Sequence, residues 1–177
     1  MLELILTLAI PRKDVPAAVS FTERLAAAAG RPARYWLSGP AEDGYGPTLE
    51  RVLAAATVPV LRGLHGLTVA DAYAACDVVV FPSTWEGFGN PVVESVLAGR
   101  PLVAAGYPAL DEMGALGLRW LPVADPAGAA AFLTDPDPGF LAANRAVVAA
   151  HLDLAELPRR LAELFEGAGW AFTRGEP

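Results

Sequence analysis

The sequence predicts an α/β fold built on one parallel sheet, and three observations carry that prediction. Short apolar runs recur at residues 2–10, 33–38, 58–62, 77–81, 101–105 and 118–123. They are apolar on successive positions rather than alternating, the pattern of strands covered on both faces. Helix signals separate them. The 177 residues, 54% hydrophobic and 19% charged, suit one globular domain that buries about 70% of its unfolded surface. About six strands alternating with helices specify a single doubly wound, Rossmann-like parallel sheet, whose ligands bind at the carboxyl ends of the strands.

The elements follow from local chemistry. Pro11 ends the first apolar run, and Asp14 is placed to cap a helix over 15–29, with Ala18, Phe21, Leu25 and Ala29 on one face and Gly30 beyond its end. A second strand, 33–38, runs into a loop rich in glycine and proline, 39–47, and a helix is expected over 48–56. Residues 58–62 make a weaker third strand, because Pro59 cannot donate to a ladder and suits either the first residues of a strand or an edge. Thr68 caps a helix that reaches Ala75, and 77–81 is a short apolar strand. Asn90 and Pro91 supply a capping side chain and an N1 proline for a helix ending at Gly99. From Asp125 onward the pattern is helical, with a last amphipathic stretch at 154–166.

Composition narrows the function. A formal net charge of −7 provides no cationic surplus for a nucleic-acid backbone or an anionic membrane surface. Neither is expected as a partner. One cysteine, Cys76, and two histidines, His65 and His151, provide neither a disulfide nor a structural zinc ligand set. Cys76 reads as packing and His65 as a loop residue. No apolar run approaches the roughly 18 to 20 residues that span a bilayer, so the expectation is a cytoplasmic protein without an integral membrane segment.

The chemistry concentrates in Phe81-Pro-Ser-Thr-Trp-Glu86-Gly-Phe-Gly-Asn-Pro-Val-Val-Glu94, which leaves a buried strand through a glycine loop and enters a helix. A helix start offers backbone N–H groups to an anion, and Gly87 and Gly89 carry no Cβ to hold a phosphate or sugar oxygen away. Glu86 and Glu94 could face one crevice and accept paired hydrogen bonds from a polyhydroxyl ligand. They could equally be a solvated loop acid and a favourable charge at a helix start. Trp85 could wall such a pocket or pack, and packing is the preferred reading.

The segment resembles the E-x7-E motif of retaining GT-B glycosyltransferases of group 1, which use nucleotide-sugar donors. Ala72-Tyr-Ala-Ala-Cys-Asp-Val-Val-Val-Phe-Pro-Ser before it and Leu97-Ala-Gly-Arg-Pro-Leu-Val-Ala after it are similar to that family as well. The likeness is dense over 63–112. It implies that Glu86 holds hydroxyls of the transferred sugar, that the backbone of Gly87, Phe88, Gly89 and Asn90 meets sugar or diphosphate, and that Glu94 binds the ribose. It also implies a metal-independent hexosyl transfer to a hydroxyl acceptor, with the nucleotide-diphosphate sugar as donor and no separate cofactor.

Arg12 and Lys13 follow the first strand at the carboxyl edge and could supply the charges that stabilise the leaving diphosphate, the preferred reading, or be a solvated pair preceding Asp14. Here they are adjacent, whereas the family spaces them after a Gly-Arg turn that this sequence lacks. Gly39 matches a family glycine near the donor, although turn chemistry explains it equally well. Residues 62–65 lie where the family's chain passes the nucleobase.

The resemblance covers only the C-terminal half of a GT-B enzyme. Residues 1–177 are therefore expected to be one nucleotide-sugar-binding domain, with 151–177 as a helical segment and the acceptor half on an absent domain or a partner chain. The alternative is a module that binds nucleotide sugars and catalyses nothing.

Overall fold

A computed structural model describes residues 1–6 and 8–170. Its elements are β1 (Leu2–Leu6), α1 (Val15–Ala29), β2 (Ala33–Leu37), α2 (Gly46–Ala55), β3 (Val60–Arg62), α3 (Val69–Ala75), β4 (Val78–Phe81), α4 (Asn90–Leu97), β5 (Leu102–Ala104), α5 (Pro108–Ala115), β6 (Leu121–Pro122), α6 (Pro126–Thr134), α7 (Pro138–His151) and α8 (Leu157–Gly167). All six strands are parallel and ordered β3-β2-β1-β4-β5-β6. Chain direction across the sheet reverses between β1 and β4, so the loops leaving those two strands diverge and open a crevice.

Right-handed crossovers place α1 on one face and α4 on the other. α1 packs against α6, and α4 against α7. Sheet and helices enclose one core in which Leu4, Phe21, Tyr35, Phe81 and Leu102 are among the fully buried side chains. Every residue of β4 is buried, as an apolar run in a doubly covered central strand requires.

Several boundaries differ from expectation for identifiable reasons. The first strand stops at Leu6 instead of reaching Ile10; Ala9 makes only an isolated parallel bridge to Ala41, and residue 7 lies outside the described residues. Pro11–Lys13 closes a 3-10 turn, which an extended reading of this stretch misses. Asp14, with φ 47°, then caps α1 by accepting from the Ala17 N–H at 3.2 Å.

β3 begins after Pro59, whose carbonyl still accepts from the Tyr35 N–H at 3.0 Å. α2 starts at Gly46 rather than Thr48 because Pro47 fits the first turn. The expected strand at 118–123 contracts to Leu121–Pro122. Thr68 and Asp71 form a reciprocal capping box on α3. The C-terminal amphipathic stretch divides into a 3-10 turn, Leu154–Glu156, and α8; residues 171–177 of the expected helical segment lie outside the described residues.

Leu4 is fully buried in the central pair of strands. Leu4→Ala is expected to lower stability by about 3 kcal/mol, read as a shifted urea midpoint with an unchanged slope.

Candidate functional site

The crevice at the reversal point is built from two loops. The loop after β1 contributes the 3-10 turn with Arg12 and Lys13, and the loop after β4 contributes Thr84 to Gly89. They are tied together by backbone: the Thr84 N–H donates to the Arg12 carbonyl at 2.9 Å, and the Thr84 hydroxyl reaches the same oxygen at 3.3 Å.

That tie brings opposite charges into contact. Lys13 Nζ lies 2.6 Å from Glu86 Oε1. Lys13 is 5% exposed and Glu86 9%, so both heads are largely withdrawn from water. The contact is an ion pair without hydrogen-bond alignment. The ammonium also sits 4.3 Å from the Phe81 ring centroid, within cation–π range. Arg12 Nη1 stands further off, 3.7 Å from Glu86 Oε2, with its side chain 41% exposed. Glu86 is therefore not a solvated loop acid.

The start of α4 differs from the sequence reading in one respect. Gly89, with φ 91°, is the N-cap, and Asn90 is the first helical residue, with no side-chain cap bond. A Cβ on Gly89 would overlap the Tyr107 hydroxyl and press on Phe81, so steric contact and the left-handed conformation both require glycine. Gly87 has open space instead. Pro91 has no N–H, and Val92 N–H is taken by the Gly89 carbonyl at 2.9 Å. Among the described residues, no backbone partner is seen for the N–H groups of Phe88, Gly89 and Asn90. They are the backbone donors that the start of α4 leaves open toward the crevice.

One turn into α4, Glu94 Oε2 accepts from the Tyr73 hydroxyl at 2.8 Å. Burial, followed by the Glu94 charge and this bond, pushes the Tyr73 phenol well above its usual range. Tyr73 therefore stays a donor that fixes one carboxylate oxygen of Glu94.

An open cavity of about 390 Å³ joins these parts, lined by Lys13, Glu86, Phe88, Gly89, Asn90 and Glu94 together with Leu8, Val69 and Pro91. Arg12 sits at its rim through the Glu86 contact, while Gly87 and Gly39 are not among its walls. Gly39 follows β2, and its neighbour Pro40 accepts from the Ala9 N–H at 3.1 Å, part of the parallel bridge between Ala9 and Ala41. Trp85 is 59% exposed and so does not pack as expected. His65, at φ 51°, lies on the exposed loop after β3.

Sequence reasoning passed over Tyr73, Ser83 and Tyr107. The position of Tyr107 just after β5, at the carboxyl edge, is the signal that could have singled it out.

The structure is thus a Rossmann-like domain that gathers a buried cation, two carboxylates and three backbone N–H groups at its topological switch point. The sequence profile of the family described as glycosyl transferases group 1 matches residues 7–150, and the chain belongs to that family. No curated protein sequence matches it.

Among solved structures, HepE from Anabaena in complex with UDP and glucose superposes with a TM-score of 0.69 at 19% identity, over 94% of this chain and 48% of that one. The C-terminal domain of the group 1 protein LpcC from Francisella tularensis gives 0.66 at 15% identity, over 86% of each chain. S. aureus TarM, crystallised with UDP, gives 0.67 at 17% identity, over 92% of this chain and 35% of its own. The fold is thus that of one half of a GT-B enzyme, and the chain spans about half the length of HepE.

Two outcomes follow. Gly89→Ala should destabilise by about 1 to 3 kcal/mol, with part of the loss recovered in a Tyr107→Phe background that removes the clashing oxygen, as thermal melts of the four proteins would read. Burial pushes the Cys76 thiol up to about 12, so native Cys76 should resist Ellman's reagent at mildly alkaline pH and react once the chain is unfolded.

Proposed function

We propose that this chain is the donor-binding domain of a retaining, metal-independent hexosyltransferase that takes its sugar from a nucleotide diphosphate and passes it to a hydroxyl acceptor. The observation that carries the reading is the single cavity shared by Lys13, Glu86, the α4 start and Glu94. It offers a carboxylate, backbone donors and a cation for the ribose, the diphosphate and the sugar of such a donor.

On this reading Glu94, oriented by Tyr73, accepts the ribose hydroxyls. The N–H groups of Phe88, Gly89 and Asn90 face the diphosphate, with Lys13 and Arg12 beside it. Glu86 accepts hydroxyls of the sugar. When the bond from the anomeric carbon to the phosphate oxygen breaks, its electron pair stays on the diphosphate. Fixed donors that meet that growing charge lower the barrier. UDP in HepE and TarM supports a nucleotide ligand for the fold, and a cytoplasmic setting fits a buried, unpaired Cys76.

The acceptor half is assigned to another segment or chain. In support, an apolar groove of about 730 Å³ opens beside the donor cavity between α4 and α7. Phe88, Leu97 and Leu154 at its margin are 45%, 63% and 79% exposed, and α8 exposes Leu157 and Leu164. No helix among the described residues is long and apolar enough to cross a membrane.

Calorimetric titration with UDP, GDP and ADP tests the site. One nucleotide should bind, and Glu94→Ala and Lys13→Gln, each first shown to melt cooperatively, should weaken it about ten- to a hundredfold, the effect of one charge-assisted contact. Unchanged affinity in both variants would remove the proposal.

A further inference from the structure

Phe81 closes β4 at the carboxyl edge, fully buried and opposite Ala104 of β5. Burial alone does not call for an aromatic side chain there, because Val78, Val79 and Val80 before it are as deeply buried and aliphatic. What distinguishes position 81 is its neighbours. Lys13 Nζ stands over the ring, 4.3 Å from its centroid. Tyr107, itself 2% exposed, meets the ring with centroids 6.1 Å apart and planes at 75°. Phe81 Cε1 lies 3.3 Å from where a Cβ on Gly89 would stand. The ring is therefore wedged between Tyr107 and the N-cap of α4, with a face kept toward the ammonium.

That placement answers a demand that Lys13 creates. The residue is 5% exposed, so its charge has given up most of its water, and a single carboxylate, Glu86 at 2.6 Å, meets only part of the ammonium. A buried cation needs negative potential over the rest of its surface. The face of an aromatic ring supplies it, more strongly when water is excluded. A second carboxylate would supply it too, but would also repel the phosphates of a ligand. The ring holds the ammonium and leaves its net charge intact.

We infer that Phe81 is a positioning residue for Lys13: the face of its ring keeps the ammonium in the donor cavity, ready for a diphosphate. This rests on the donor-site reading above and deepens it. Phe81 is not among the walls of the cavity, so recognition of the diphosphate comes to depend on a side chain that the ligand does not touch. Without the ring's attraction Lys13 would spread over other arrangements, and apparent affinity would fall with the fraction of molecules that keep it in place.

The test replaces Phe81, in the full 177-residue chain, by mono-, di- and trifluorophenylalanine, which nearly preserve the ring's shape and withdraw electron density from its face step by step. Melting temperature without ligand, and affinity for UDP, GDP and ADP by calorimetry, are read in the native and the Lys13→Gln backgrounds. Melting temperature should fall with each fluorine where Lys13 is present and stay level where it is not. Affinity for the nucleotide that binds should fall in the same steps, reaching about five- to tenfold with three fluorines, and should also stay level in Lys13→Gln. If Lys13→Gln does not melt cooperatively, the pair Lys13→Met with Glu86→Gln, which strands no charge, supplies the uncharged background for the melts.

A ring that only fills the core would give the same trend in both backgrounds, or none. Either pattern in the melts would overturn the inference. So would stepwise melts with an unchanged affinity, because the contact would then support the fold without serving the ligand; the donor site would be left standing. Failure of the native chain to bind any of the three nucleotides would overturn the donor-site reading, and the positioning role with it.

Discussion

The ion pair between Lys13 and Glu86 is the constraint on which the site depends. Each charge is nearly enclosed by protein, and each would be strongly unfavourable without the other, because removal from water costs several kcal/mol per ion. Their mutual attraction at short range offsets that cost and fixes where both loops must run. The loop after β1 cannot move outward without exposing Lys13, nor the loop after β4 without stranding Glu86. The Thr84 bonds to the Arg12 carbonyl reinforce the same closure from the backbone.

The sheet makes this pair possible. β1 and β4 are hydrogen-bonded neighbours, with Leu4 opposite Val78 and Ile5 opposite Val79, although more than seventy residues separate them in sequence. Only the reversal of strand order brings their two exits side by side. The same topology sends α1 and α4 to opposite faces, so each helix start points back toward the crevice. A charged ligand placed there meets the α4 amides on one side and Lys13 on the other.

Much of this was legible in the sequence, because the signals were local and repeated. Successive apolar runs located all six strands, though the first and last proved shorter than expected, and Asp14 and Thr68 marked two helix starts that the structure retains. Glu86, Gly89 and Glu94 could be singled out from one continuous segment. What escaped depended on contacts across the chain. Whether Glu86 faces solvent or Lys13 is decided by pairing 73 residues apart. Asn90 looked like a cap because its type suits one, but packing of Tyr107 and Phe81 against Gly89 shifts the cap back by one residue. Trp85 is an aromatic residue left in solvent by a loop whose direction no periodicity encodes. Tyr107 carried no motif at all.

Arg12 and Lys13 are adjacent on one 3-10 turn, and the geometry of that turn separates their roles. In such a turn successive side chains are about 120° apart, so neighbours in sequence cannot point the same way. Lys13 is directed inward over Phe81 and becomes buried, while Arg12 stays at the rim with its carbonyl, not its guanidinium, holding the Thr84 loop. The two adjacent cations are thus placed at different depths by rotation alone. Lys13 is committed to Glu86 in the empty site, and Arg12 keeps enough freedom to follow an anion approaching from solvent. The crevice therefore has one cation fixed by packing and one held loosely at its rim.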